Sequence, residues 1–375
     1  MEYQHGGDIY SQKVDMDYSA NLSPLGLPAG VKRALLASIE EQSVCSVYPD
    51  SSCSQLRQAL GAFHQIPQDW IVCGNGAADL IFALTTACRP MHGLVEAPTF
   101  SEYSQALKAA GGQVDLFFLK EGQGFQMNLE EFSNTIREAV RKGTPYDMVF
   151  LCNPNNPTGI PTDGKEVRTL AEVCHAFGTL LVVDECFCDF LEEEERCSVV
   201  SALEDFPNLI ILKAFTKIYA MAGLRLGYAL CSDQSLLERL SGVRQPWSVS
   251  GLAQSAGLAA LHEVEYVKEA KRLVSKERIW LAGQLKEMGF LVYPSQANYL
   301  FFRDMRPLKP CPKGRLYRDL LSRGILIRSC ENYPGLDNTY YRICVKTREE
   351  NRRFITILRE VLQEENRRNI WQNRS

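Results

Sequence analysis

The fold class is decided by the stretch MVFLCNPNNPTG, residues 148–159. It begins with an apolar run of strand length and continues into a loop that two prolines and a glycine hold in a fixed shape. An apolar run without alternating polar residues is typical of a strand covered on both faces. These residues therefore predict a buried parallel strand, followed by an ordered loop that points asparagine amides toward a pocket.

Outward from this stretch, similar apolar runs alternate with helical patterns. That alternation predicts βαβ units around a mainly parallel sheet, which is an α/β fold. The other predicted strands lie at residues 71–73, 93–96, 180–183, 209–212 and 226–230. The acidic run at residues 192–195 is predicted to be a solvated loop.

The pattern of apolar and charged residues changes after residue 260. A long charged helix is predicted over residues 263–288, followed by short strands at 291–293, 299–302 and 325–327. Thr347 and Glu350 form a capping-box pattern ahead of a last helix, whose apolar positions fall on one face. We predict an N-terminal segment (1–40) that packs with the small domain and the active site, a large domain (41–262) and a small α+β domain (263–375).

Composition narrows the function classes. The 375 residues carry a net charge of −4, so no basic field favours nucleic acid or an anionic membrane. The thirteen cysteines are scattered without a CxxC pair and histidines number five, which disfavours a zinc or iron–sulfur centre and favours reduced thiols. With neither a signal peptide nor an apolar membrane segment in view, we expect a cytoplasmic protein with a small-molecule partner.

Reactive residue types follow several of the predicted strands. In open α/β sheets, ligands bind beyond the carboxyl ends of the strands. GNGAAD at residues 74–79 opens a helix whose backbone N–H groups could hold a phosphate, although a tight turn would have the same pattern. Asp184 ends an apolar strand, where a buried carboxylate needs a cation or a donor; the alternative is a helix cap. Lys217 follows another strand in apolar surroundings that would favour a neutral, nucleophilic amine, and Lys213 is its competitor.

The order GNGAAD, NPNNPTG, VVDECF and TKIYAMAGLRLG resembles the fold type I pyridoxal-phosphate enzymes, specifically the class I/II aminotransferase superfamily. The resemblance implies a mainly parallel, seven-stranded type of sheet and a homodimer. It also implies that Lys217 binds the cofactor covalently, that Asp184 faces the pyridinium nitrogen, and that Asn156 donates to the ring hydroxyl. It further implies that Phe100 stacks on the ring and that Tyr48 reaches the cofactor phosphate from the neighbouring subunit. The residues implied to surround that phosphate within one chain are Gly76, Ala77, Thr216 and Arg225.

A narrower resemblance rests on both ends of the chain. HGG at residues 5–7, YSANLSPLG at 18–26, QPWSV at 245–249, and IRSCENYPGLD at 327–337 are similar to the threonine-phosphate decarboxylases of cobalamin biosynthesis, relatives of the histidinol-phosphate aminotransferases. This resemblance implies decarboxylation of L-threonine O-3-phosphate to (R)-1-amino-2-propanol O-2-phosphate. The implied substrate-binding residues are His5, Gly6, Asn21, Asn156, Arg328 and Arg342.

Three alternatives stay open at this point. Transamination of a histidinol-phosphate type of substrate needs the same cofactor and lysine, and phosphoserine differs from phosphothreonine by one methyl group. A pyridoxal-phosphate-binding regulator without turnover is the third. Phe187 stands where many histidinol-phosphate aminotransferases have a tyrosine near the ring hydroxyl, which makes an ordinary transaminase less well supported.

Overall fold

The computed structural model describes residues 5–11, 13–40, 44–306 and 313–372, with side chains described up to residue 364. The strands are β1 Met16–Asp17, β2 Ile71–Gly74, β3 His92–Ala97, β4 Gln113–Phe118, β5 Met148–Cys152, β6 Leu180–Asp184, β7 Leu209–Ala214, β8 Gly227–Leu230, β9 Leu291–Val292, β10 Tyr299–Arg303, β11 Ile325–Leu326, β12 Arg328–Ser329 and β13 Tyr340–Cys344. The helices are α1 Ala29–Glu40, α2 Ser54–His64, α3 Ala77–Cys88, α4 Ser101–Ala109, α5 Leu129–Arg141, α6 Gly164–Ala176, α7 Glu194–Cys197, α8 Phe215–Ile218, α9 Gln234–Gly242, α10 Gly251–Ala260, α11 Val264–Glu287, α12 Arg315–Leu321 and α13 Arg348–Gln372.

The large sheet has the order β2-β8-β7-β6-β5-β3-β4. Its strands run parallel except β8, which is antiparallel to both β2 and β7. The predicted α/β fold with a mainly parallel sheet is therefore confirmed. One strand, β4, was not predicted: it lies at the sheet edge, and its half-exposed sequence QVDLFF mixes polar and apolar residues instead of forming an apolar run.

Helices cover both faces of this sheet, which explains the unbroken apolar strands. On β5, Val149 and Leu151 pack into a core with α2, α5, α6 and α10, whereas Phe150 packs into a second core with α3, α4 and α9. Successive side chains of a strand point to opposite faces, so both sets must be apolar when both faces are buried.

The C-terminal third contains an antiparallel sheet of order β12-β13-β10-β9. It shares a core with α11, α12 and α13. The predicted capping box is present: the Thr347 N–H donates to Glu350 Oε2 at 3.2 Å, and the Glu350 N–H donates to Thr347 Oγ1 at 3.4 Å. The predicted strand at 325–327 is observed as β11, which pairs with β1; β12 begins just beyond it at Arg328 and joins the antiparallel sheet. The domain boundaries proposed above stay a prediction.

Within the described ranges, no helix combines the length and apolar character needed to cross a membrane.

Candidate active site

A cavity of about 530 Å³ lies at the carboxyl ends of the parallel strands. It is lined by residues that follow β3, β5, β6 and β7, together with residues of the N-terminal segment and of β12 and β13. The predicted site residues that line it are His5, Gly6, Asn21, Ala77, Phe100, Asn156, Asp184, Thr216, Lys217, Arg225, Arg328 and Arg342. The fold thus brings together residues separated by more than 300 positions in the chain.

Lys217 and Asp184 line this one cavity from two neighbouring strand ends. Lys217 lies in the short helix α8 directly after β7, and burial lowers the pKa of its amine to about 8, with Arg342 and Arg225 adding to the effect. Asp184 ends β6 and is 5% exposed. Its two carboxylate oxygens accept hydrogen bonds from the Tyr103 hydroxyl at 2.7 Å and the Cys186 N–H at 2.9 Å.

The competing lysine, Lys213, is not placed for chemistry. Its amine is buried and contacts three carboxylates, at 3.4 Å from Glu185, 3.2 Å from Asp189 and 3.6 Å from Glu194. Burial alone would lower the pKa of Lys213, but these carboxylates hold it well above its ordinary value. A fully paired ammonium is not a nucleophile. The prediction of a purely solvated loop at 192–195 is accordingly wrong for Glu194, which closes this ion cluster.

The start of α3 forms a compact cradle at one end of the cavity. Gly76 precedes the helix with a φ of +85°, and a Cβ there would lie 2.7 Å from Arg225 Nη2. Only glycine combines that backbone conformation with such a close approach. No side chain caps α3, so its first N–H groups point outward beside the Arg225 guanidinium. This geometry suits a phosphate group.

Two buried arginines, Arg328 and Arg342, also line the cavity. Arg342 donates to the Asn156 amide oxygen and to the Ser19 carbonyl, the latter at 2.8 Å. Arg328 donates to Asn332 Oδ1 at 2.8 Å. Among the described residues, neither guanidinium has a carboxylate within 4.0 Å, and the buried Asn21 amide has no hydrogen-bond partner. Guanidinium groups that lack a carboxylate partner, together with an unpartnered buried amide, suit this cavity to an anionic ligand.

Aromatic side chains form further walls. Phe100 lines the cavity just before α4. The Phe187 ring lies 5.5 Å from Lys217 Nζ and packs edge-on against Tyr299. The Tyr299 hydroxyl donates to the Asn155 carbonyl at 2.8 Å, so it does not replace the hydroxyl that a tyrosine at position 187 would supply.

Two predicted residues lie away from the cavity wall. Gly76 is next to the lining residue Ala77, where it shapes the phosphate cradle. Tyr48 is 78% exposed and stacks on Trp247, with ring centroids 4.4 Å apart. Because Tyr48 was expected to act in a neighbouring subunit, its role stays a prediction.

Comparison with known proteins decides the family. Residues 13–358 match the model of the family described as aminotransferase class I and II. The chain belongs to this family. The threonine-phosphate decarboxylase of Salmonella typhimurium is 37% identical over 368 residues, covering 96% of each chain. A histidinol-phosphate aminotransferase of Symbiobacterium thermophilum is 34% identical and covers 92% of this chain and 90% of its own.

Solved structures of aminotransferases and decarboxylases have the same fold. The histidinol-phosphate aminotransferase of Clostridium acetobutylicum superimposes with a TM-score of 0.83 at 27% identity, covering 93% of this chain and 99% of its own. The L-threonine-O-3-phosphate decarboxylase of Porphyromonas gingivalis gives a TM-score of 0.78 at 23% identity, covering 92% and 99%. Both the resemblance and the fold type predicted from the sequence motifs are confirmed.

Class I and II aminotransferase relatives are pyridoxal-phosphate enzymes, which confirms the expected cofactor. The residues present fit it. A lysine with a lowered pKa and a buried carboxylate face one cavity, and the cradle at Gly76 leaves room for a phosphate where a Cβ would collide. The family also establishes that the chain is an enzyme of this cofactor class.

Two functional side chains were not predicted from the sequence. Tyr103 donates to the carboxylate of Asp184, and the Glu102 Oε1 atom lies 3.1 Å from His5 Nε2. Both lie in the first turn of α4, behind the predicted Phe100. The only signal available was their spacing from Phe100, which places them near the cavity once a helix is assumed to begin there.

Proposed function

We propose that this enzyme decarboxylates L-threonine O-3-phosphate to (R)-1-amino-2-propanol O-2-phosphate, the linker used in the nucleotide loop of cobalamin. The carrying observation is that three cavity-lining arginines, Arg225, Arg328 and Arg342, have no carboxylate within 4.0 Å among the described residues. Arg225 stands beside the cradle suited to the cofactor phosphate. That leaves two guanidinium groups for a substrate that carries both a phosphate and a carboxylate.

The bound cofactor supplies an electron sink for the carbanion left when carbon dioxide departs. In this proposal the chain selects the bond that breaks by orienting the substrate. Arg342 and Arg328 take the two anionic groups of the substrate in bidentate fashion. Asn21 and His5 add donors, and the close approach of Gly6 to Ser19 keeps the N-terminal segment over the ligand.

The remaining residues of the cavity bind the cofactor or transfer a proton. Asp184 keeps the pyridine nitrogen protonated, Asn156 donates to the ring hydroxyl, and Phe100 stacks on the ring. The backbone turn at Gly76 and the Ala77 N–H, with Thr216 and Arg225, hold the phosphate. Lys217, whose pKa is about 8, exchanges between neutral and charged forms near neutral pH, so it can deliver a proton to the substrate Cα.

Histidinol-phosphate-type transamination is the second candidate. Its support is the set of relatives such as the Symbiobacterium thermophilum aminotransferase at 34% identity. Phe187 opposes it, because the hydroxyl expected near the ring in many such enzymes is absent here. Decarboxylation of O-phosphoserine is a third possibility within the same site.

The test is an incubation of the purified holoenzyme with O-phosphothreonine, with carbon dioxide and pyridoxamine phosphate both measured. We expect carbon dioxide in multiple turnovers and no accumulation of pyridoxamine phosphate. Pyridoxamine phosphate without carbon dioxide would support transamination instead. Parallel incubations with O-phosphoserine and with unphosphorylated threonine measure how much the methyl and the phosphate contribute.

We also propose that the enzyme acts in the cytoplasm as a homodimer in which Tyr48 of each chain reaches the cofactor phosphate of its neighbour. The exposed aromatic pair Tyr48–Trp247 supports the homodimer.

A further inference from the structure

The N-terminal segment at residues 5–11 separates two cavities. His5, Gly6 and Gly7 line the reaction cavity of about 530 Å³ and also a second cavity of about 560 Å³. Arg328 and Ser19 are likewise common to both. If the segment moved away, the two spaces would join and the reaction cavity would open toward the second one.

Few contacts hold this segment in place. The Gly7 N–H donates to Ser19 Oγ at 2.7 Å, and Gly6 approaches the Ser19 carbonyl so closely that a Cβ would lie 2.3 Å from its oxygen. Two side-chain contacts add to these: His5 Nε2 lies 3.1 Å from Glu102 Oε1, and the His5 ring is tilted against the Phe100 ring with centroids 6.5 Å apart. The contacts of the backbone with Ser19 position the two glycines, and the His5–Glu102 contact fixes the end of the segment.

Glu102 is an unexpected side chain for an anion-binding cavity. It is 8% exposed, and burial raises the pKa of its carboxyl, while His5, the Ser101 hydroxyl and Arg328 oppose that rise. A carboxylate here costs desolvation energy and repels a phosphorylated substrate. Within the described part of the chain, His5 is the basic side chain found within 4.0 Å of it.

We infer that Glu102 is a positioning residue that latches His5, and with it residues 5–11, over the reaction cavity. The carboxylate sits in the first turn of α4, where the helix dipole favours negative charge, and this helix also begins next to Phe100. The latch therefore ties the N-terminal segment to the wall that carries the ring-stacking residue. The effect on substrate binding rests on the proposed function; the latch itself does not.

The direction in which KM changes in Glu102→Gln distinguishes a latch from a residue that only repels the substrate phosphate. If Glu102 only repels the substrate phosphate, Glu102→Gln lowers the KM for O-phosphothreonine. If Glu102 holds His5 in place, the same change raises that KM about tenfold and leaves kcat within about twofold, because binding is lost without a change at the reacting bond. His5→Ala should give the same rise, and the double variant should be no worse than either single one.

A second measurement does not depend on turnover. Lys13 is exposed and lies just beyond the segment, so trypsin cleavage after Lys13, followed by mass spectrometry of the holoenzyme, reports release of residues 5–11. We expect faster cleavage in Glu102→Gln than in the unsubstituted enzyme. Glu131→Gln is the matched control, because it removes an exposed ion pair between Glu131 of α5 and Lys120 and should change neither readout.

The outcomes are distinct. Unchanged cleavage in Glu102→Gln overturns the latch, and so does an unchanged or lower KM. If the unsubstituted enzyme does not turn over O-phosphothreonine, the proposed function fails, and the cleavage comparison still decides whether Glu102 holds the segment.

Discussion

At Lys217 the important quantity is the charge of a single amine. Only the neutral amine attacks the cofactor aldehyde, and burial lowers the pKa of Lys217 to about 8. The neutral fraction is therefore about one half near pH 8 and approaches one only well above that pH. We predict that the rate of cofactor attachment to the apoenzyme falls about tenfold per pH unit below 7, which stopped-flow absorbance between pH 6 and 9 would measure.

The same amine can be tested by deletion. Lys217→Ala should abolish the absorbance band of the attached cofactor together with activity, because Lys213 is held by three carboxylates and cannot replace it. Normal activity in this variant would refute the assignment.

Lys213→Met is expected to act differently, because it leaves buried carboxylates without a cation. It should lower the free energy of unfolding by about 3–5 kcal/mol, as measured in urea titrations.

Tyr103 acts through Asp184. Its hydroxyl donates to the carboxylate at 2.7 Å, and Tyr103→Phe leaves a buried acceptor short of a donor, which costs about 1–3 kcal/mol. We expect kcat to fall about tenfold with KM nearly constant, because Asp184 is no longer fixed against the ring nitrogen. Tyr146→Phe is the control, since Tyr146 donates to Asp115 outside the reaction cavity. Equal losses in both variants would mean that the effect is merely structural.

At the scale of elements, the turn between β2 and α3 depends on Gly76. Gly76→Ala places a Cβ 2.7 Å from Arg225 Nη2 at a φ of +85°. We predict weaker cofactor binding, measured by equilibrium dialysis, because the guanidinium must move away from the cradle. Gly283→Ala is the opposite case: it lies inside α11 with open space around it, and it should stabilise the protein by about 1 kcal/mol.

How far sequence predicts these elements depends on the kind of signal. The strands around residues 148–152 and 180–184 were predictable because two covered faces require unbroken apolar runs. The strand β4 was not predicted, because an edge strand keeps polar side chains at its exposed positions and so lacks an unbroken apolar run. Lys217 and Asp184 carried motif signals, whereas Tyr103 and Glu102 did not: their partners are 81 and 97 residues away, and only the folded chain brings them together.

At the scale of the whole molecule, the reaction cavity joins parts of the chain that fold into different sheets. Arg342 belongs to β13 of the antiparallel sheet, while Asn156 follows β5 of the parallel one, and the two side chains are hydrogen-bonded. This contact makes the cavity sensitive to how the two sheets are placed. A substrate that binds Arg342 can therefore shift the equilibrium between different placements of the two sheets.

The exposed aromatic pair Tyr48–Trp247 leads to the last prediction. Large apolar side chains exposed together mark interaction surfaces more often than chance, and Tyr48 is 78% exposed. We expect light scattering after size exclusion to give twice the 42.2 kDa chain mass, at low protein concentration and with cofactor present. Tyr48→Phe should keep that mass and weaken cofactor binding, because it removes one hydroxyl and little apolar surface. A monomer that binds the cofactor tightly, or unchanged affinity in Tyr48→Phe, would show that each site is complete within one chain.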